Sequence, residues 1–171
     1  MAKRRINICK PGFGASCALC CGSHNFNLPL EKIEILLQGR MRDSSALYYK
    51  HPHESLFEKR FSDGMQCPNV AMDEENELFC LIYNAPFKNA EVNSFFNGTC
   101  KNFYCPAWDY LSDEEVIFAA KLMSDWYYYG LLINNIEGLK ELFAQYIDPA
   151  MVPYEELENI KQELHDMVFD F

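Results

Sequence analysis

Apolar residues recur at helical spacing over several stretches of the chain and at strand spacing over one. Leu30, Ile33, Leu36 and Leu37 form one apolar face of a helix entered through Asn27-Leu28-Pro29. Pro29 sits in its first turn, and Gly39 is the predicted end. Residues 44–61 are polar and aromatic, with Tyr48, Tyr49, Leu56, Phe57 and Phe61 compatible with one or two short helices broken near Pro52. The pattern then changes. Asn69-Val70-Ala71-Met72, the acidic turn Asp73-Glu74-Glu75-Asn76 and the β-formers Leu78 to Tyr83 predict a β-hairpin. With those four turn residues looped out, Met72 faces Glu77 and Asn69 faces Cys80. Cys67 then lies two positions from the residue opposite Cys80, so the hairpin carries two thiols to one end. Residues 84–107 show no clear period and read as an irregular loop ending in Cys100-Lys-Asn-Phe-Tyr-Cys105.

The last third is helical. Ser112-Asp113-Glu114-Glu115 is a capping box, opening a helix whose Val116, Ala119, Ala120, Met123, Tyr127, Gly130 and Leu131 face one way. A second helix carries Ile136, Leu139, Phe143, Tyr146 and Ile147 and stops at Asp148-Pro149. A third starts near Pro153 with Leu157, Ile160, Leu164, Met167 and Val168 on its face. The expected fold is mainly α with a small β-hairpin, an irregular cysteine-rich region (9–105) packed on a C-terminal three-helix layer (112–171), in one domain over 1–171. A chain of 171 residues buries enough surface, about 70 %, to need no covalent staple.

Composition narrows the function. Hydrophobic residues make up 49 % and aromatics 15 %, which excludes a largely disordered chain. A net charge of −10 repels a phosphate backbone, so nucleic acid is not an expected partner. Lys3-Arg4-Arg5 is followed by no apolar core of a signal peptide, and no run of 18 apolar residues exists to span a membrane. A cytoplasmic location, with thiols kept reduced, is the expectation. No phosphate loop, nucleophile elbow or dinucleotide fingerprint is present.

The candidate chemistry lies in eight cysteines: Cys9, Cys17, Cys20, Cys21, Cys67, Cys80, Cys100 and Cys105. Reduced clustered thiols hold metal more often than each other, so all eight are candidate metal ligands. Cys17-x-x-Cys20 is a spacing used by zinc and iron–sulfur ligand loops. Cys21 sharpens it, because adjacent side chains diverge and rarely serve one mononuclear ion equally, which hints at a polynuclear centre or two neighbouring sites. His24 is a candidate ligand or hydrogen-bond donor to one, against a loop histidine bonded to backbone. Pro52 keeps His51-Pro-His53-Glu54 from helical metal spacing, His165 lies in a polar stripe, and Trp126-Tyr-Tyr-Tyr129 reads as core and helix surface.

Cys17-Ala-Leu-Cys20-Cys21-Gly, Cys67, Cys80-Leu-Ile-Tyr83-Asn-Ala-Pro86, Cys100 and Cys105 together resemble the bacterial cysteine-cluster family of YkgJ type. That family is described as zinc- or iron-chelating, and flagellin lysine-N-methylases share its motif. The resemblance covers residues 9–105 and implies a metal or iron–sulfur centre. Two departures stand out: seven residues separate Cys9 from Cys17, and the family's Arg-Pro after the tyrosine is Ala85-Pro86 here. Four thiolates leave Zn²⁺ and an oxidised [4Fe–4S]²⁺ core at the same net charge, so charge does not choose between zinc and an iron–sulfur cluster; aromatic shielding tilts toward iron. The leading expectation is a metal-binding protein with redox or protein-modifying activity. Its rival is a structural-zinc module whose acidic helical layer binds a protein partner without catalysis.

Overall fold

The computed structural model describes residues 6–26, 28–50, 67, 69–81, 98 and 100–169. It is mainly helical: α1 (Leu30–Lys50), the antiparallel strands β1 (Val70–Met72) and β2 (Leu78–Cys80), α2 (Pro106–Tyr110), α3 (Asp113–Leu122), α4 (Trp126–Asn134), α5 (Ile136–Gln145) and α6 (Tyr154–Phe169). Among the described residues no helix is long and apolar enough to cross a membrane. The chain forms two compact units, one of residues 1–19 with 105–171 and the other of residues 20–104.

In the first unit, Val116, Ala119 and Ala120 of α3, Tyr129, Leu132 and Ile133 of α4 and Leu139 of α5 are buried together, and Leu164 of α6 closes the core. Where the sequence predicts three helices over 112–171, four are found, because the first is cut in two. The break has a local cause. Asp125 leaves helical geometry (φ −148°, ψ 170°) and its carboxylate accepts the amide of Tyr128 at 2.6 Å, so it caps a new helix. The Ser112–Glu115 capping box forms as the motif predicts, with the two reciprocal bonds at 3.2 and 2.6 Å. A short further helix, α2, occupies part of the stretch expected to be irregular, entered through Pro106.

The N-terminal stretch belongs to this unit too. Ile8 and Ala15 are buried in the helical core, and the Tyr129 hydroxyl donates to the Ile8 carbonyl at 2.7 Å. Between them the chain reverses through three consecutive residues of positive φ: Gly12 (92°), Phe13 (61°) and Gly14 (75°). At Gly14 a Cβ would also stand 3.3 Å from the Ser124 carbonyl oxygen, so a larger residue there meets both an unfavourable φ and a tight backbone contact.

The second unit is built on α1 packed against β1. Ile33 and Leu37 are buried from the helix, and Val70, Ala71, Met72 and Leu78 from the hairpin. Lys32 and Ile33 amides donate to Pro29, setting the start of α1 where the sequence places it. The predicted stop at Gly39 is overturned: α1 runs on to Lys50, since a single glycine weakens a helix by only about 1 kcal/mol and tertiary packing outweighs that. Residues 51–66, 82–97 and 99, with the expected break at Pro52, His51, His53 and the Tyr83 to Pro86 element, lie outside the described residues.

The hairpin exists, but its register is displaced by one from the expected one: Met72 pairs with Leu78 and Val70 with Cys80. Asn76 adopts the left-handed conformation (φ 60°), closing a turn in which Asp73 and Glu77 already pair, so the loop holds one residue fewer. The Asp73 carboxylate accepts the amides of Glu75 and Glu77 at 3.1 and 2.8 Å and stabilises that turn. Gln38 of α1 donates to the Asn76 side chain at 2.8 Å.

Candidate metal centre

None of the eight cysteines is in a disulfide, and they are divided between the units. Cys20, Cys21, Cys67, Cys80 and Cys100 belong to the second; Cys9, Cys17 and Cys105 belong to the first. The Cys17-x-x-Cys20 spacing is therefore split immediately before Cys20. The reason is apolar: Cys17 and Cys105 pack against the helical core that also buries Ile8 and Ala15, which holds the chain up to Leu19 in that unit.

Leu19–Cys21 forms a single 3₁₀ turn. Contrary to the divergence expected of neighbouring side chains, the sulfurs of Cys20 and Cys21 lie 3.9 Å apart. They share a hydrogen bond, which lowers the exposed Cys20 thiol to about 7. The same bond, then burial, then the negative charges of Cys20, Cys67 and Cys80 push Cys21 far up. Cys100 opens another 3₁₀ turn, Cys100–Asn102, and is raised by burial and then by the charges of Cys67, Cys80 and Cys20. Cys21 and Cys100 thus both feel the charges of Cys20, Cys67 and Cys80.

The hairpin supplies the middle of the group. The Cys67 amide donates to the Cys21 carbonyl at 2.8 Å, and its own carbonyl accepts the Val70 amide at 3.3 Å in a turn that leads into β1. Cys80 ends β2 opposite Val70, three positions from Cys67 rather than two. The side-chain amide of Asn69, a buried residue, stands 3.8 Å from the Cys67 sulfur, and the Asn69 carbonyl accepts the Leu81 amide at 2.8 Å. Arg40 of α1 donates to the carbonyls of both Cys67 and Val70 at 3.2 Å while its guanidinium lies 5.6 Å from the Phe26 ring centre. Sequence reasoning missed Arg40. Its spacing from Ile33 and Leu37, on the helix face that meets β1, was the available signal.

The remaining candidates are placed as follows. In the first unit the Cys17 amide donates to the Cys9 carbonyl at 2.9 Å, and the Asn134 side-chain amide lies 4.0 Å from the Cys17 sulfur. Cys105 precedes α2, its carbonyl accepting the Trp108 amide at 2.9 Å. His24 is buried with its Nδ1 2.9 Å from the Ser23 hydroxyl. His165, expected in a solvated stripe, is half-buried with Nδ1 3.1 Å from the Tyr127 hydroxyl, because α6 packs on α4 there. Trp126, Tyr127 and Tyr129 are core residues.

Among the described residues, no three His, Cys, Asp or Glu side chains already stand together as a metal-holding group. The donor chemistry of the second unit nonetheless suits a thiophilic centre. With Zn–S bonds of about 2.3 Å, the edge of a tetrahedral tetrathiolate is about 3.8 Å, close to the Cys20–Cys21 separation of 3.9 Å. Compared with models of protein families, with curated proteins and with solved structures, the chain finds no match.

Proposed function

We propose that the second unit binds a thiolate-ligated metal centre, zinc or an iron–sulfur cluster, through ligands drawn from Cys20, Cys21, Cys67, Cys80 and Cys100. The observation that carries this reading is the backbone bond from Cys67 to Cys21, which ties the double-cysteine turn to the hairpin that presents Cys67 and Cys80. The charges of Cys20, Cys67 and Cys80 raise the proton affinity of Cys21 and Cys100, a cation placed among them offsets that repulsion, and binding then releases protons and fastens the segments that carry the ligands. Arg40 and Asn69 hold the Cys67 turn in position for this. When bound, zinc would supply a structural cross-link, and a cluster would supply one-electron redox chemistry.

Anaerobic purification followed by metal and sulfide analysis and a visible spectrum tests the proposal. Zinc at constant stoichiometry without colour identifies a zinc site; iron, acid-labile sulfide and visible absorption identify a cluster. A full-length protein that holds neither, or one whose metal content survives replacement of all five cysteines by serine, overturns the proposal.

A further inference from the structure

Three thiols belong to the first unit, and two of them are joined by a backbone bond. The Cys17 amide donates to the Cys9 carbonyl at 2.9 Å. Across one such bond covalent geometry limits the Cα–Cα distance to about 6.8 Å, the upper end of the window a disulfide accepts. The intervening chain is already shaped for closure. Gly12, Phe13 and Gly14 reverse it at positive φ, the Ala15 amide donates to the Gly12 carbonyl at 3.1 Å, and both arms are anchored, Ile8 through Tyr129 and Ala15 by full burial. Access is unequal in a useful way: Cys9 is exposed, whereas Cys17 is half-buried with the Asn134 amide 4.0 Å from its sulfur.

We infer that Cys9 and Cys17 form a reversible disulfide that staples the N-terminal loop, with a small-molecule disulfide such as oxidised glutathione as the oxidant. The exposed Cys9 thiolate attacks the glutathione disulfide, breaking its S–S bond and expelling one glutathione thiolate. Cys17, as thiolate, attacks the Cys9 sulfur of the mixed disulfide, forms the intramolecular bond and expels the second glutathione. Two electrons pass from the cysteines to the oxidant, and the two thiol protons end on the two glutathiones. Asn134 places an N–H donor near the resolving sulfur. This assignment removes Cys9 and Cys17 from the metal ligands and does not depend on what the second unit binds.

The test is titration of the full-length protein in glutathione redox buffers, followed by acid quenching, alkylation and peptide mapping after cleavage at the exposed Phe13, which lies inside the loop. The expected product keeps the two halves of the loop joined by a Cys9–Cys17 bond, two hydrogens lighter than the reduced pair. Cys17→Ser is expected to accumulate glutathione on Cys9, and Cys9→Ser to lose the cross-link. The inference is overturned if Cys9 and Cys17 stay separately alkylatable at the oxidising end of the titration, if either pairs preferentially with another cysteine, or if the Cys9 mixed disulfide accumulates as fully in the unaltered chain as in Cys17→Ser.

Discussion

The amide of Cys67 donates to the carbonyl of Cys21 at 2.8 Å, and this bond links the 3₁₀ turn bearing the double cysteine to the segment that leads into β1. It ties Cys20 and Cys21 to Cys67 and, through the hairpin, to Cys80, all within the second unit. Single serine replacements should therefore separate into two groups. Cys21→Ser, Cys67→Ser and Cys80→Ser are expected to lower bound metal strongly, and Cys9→Ser, Cys17→Ser and Cys105→Ser to leave it near the unaltered level. Metal analysis of the six purified variants checks this, and uniform loss across both groups would count against a centre confined to the second unit.

Arg40 supports that frame from α1 by donating to the Cys67 and Val70 carbonyls at 3.2 Å. Charged hydrogen bonds of this kind contribute about 1.5–3 kcal/mol each. Arg40→Ala is expected to lower stability by a few kcal/mol and to speed metal loss to a chelator, while Arg40→Lys, lacking the planar fork, recovers part of both. Denaturant unfolding together with chelator-release kinetics makes the measurement. An Arg40→Ala protein that retains both properties would remove Arg40 from the frame.

How much of this was legible beforehand follows from the range of each interaction. The Ser112–Glu115 box and the Pro29 entry were readable because every group involved lies within one turn. The break at Asp125 escaped because apolar spacing continues through Met123 and Tyr127 as if the helix were unbroken; the capping bond to Tyr128 decides it. The hairpin was visible in its β-formers, yet its register depended on the left-handed Asn76. Eight cysteines raised the expectation of metal chemistry, but their division rested on the burial of Ile8 and Ala15 among helices more than ninety residues away in the chain, which no local pattern encodes.

The double cysteine should behave asymmetrically in the metal-free protein. Its shared hydrogen bond holds Cys20 at about 7 and drives Cys21 far above the ordinary thiol range. Alkylation by iodoacetamide is thus expected first at Cys20, with a rate that climbs as pH rises through about 7, while Cys21 reacts slowly across the neutral range. Cys21→Ala removes the donor and should shift the Cys20 profile upward. Peptide-resolved alkylation rates against pH read this directly, and equal rates at both positions would contradict it.

Asp125 links stability to pH in the first unit. Burial raises its carboxyl above the ordinary aspartate value, more than the amide bonds from Tyr128 and Tyr127 and the charge of Lys161 lower it. The folded chain therefore holds this proton to higher pH than the unfolded chain does. Its contribution is complete below the ordinary aspartate range and is lost as pH rises from there through the raised folded value. Asn caps a helix as well as Asp does, so Asp125→Asn should keep α4 and flatten this part of the pH–stability curve. Urea midpoints across the acidic range test it; a variant with the same slope as the unaltered protein would assign the slope to other groups.

Two helical glycines should respond in opposite ways to alanine. Gly39 sits inside α1, and a Cβ there would meet nothing within 4 Å. Gly39→Ala is expected to stabilise the second unit by about 0.5–1 kcal/mol, through the smaller entropy loss of alanine in a helix. Gly138 lies in the first turn of α5, where its amide donates to the capping Asn135 side chain at 3.3 Å. A Cβ at Gly138 would stand 2.7 Å from the Asn135 amide nitrogen and displace that cap. The cap is worth about 1 kcal/mol, enough to cancel the helical gain, so Gly138→Ala should leave stability unchanged or lower. Thermal unfolding of the two variants beside the unaltered chain decides the matter, since equal gains would show that the Asn135 cap contributes nothing to α5.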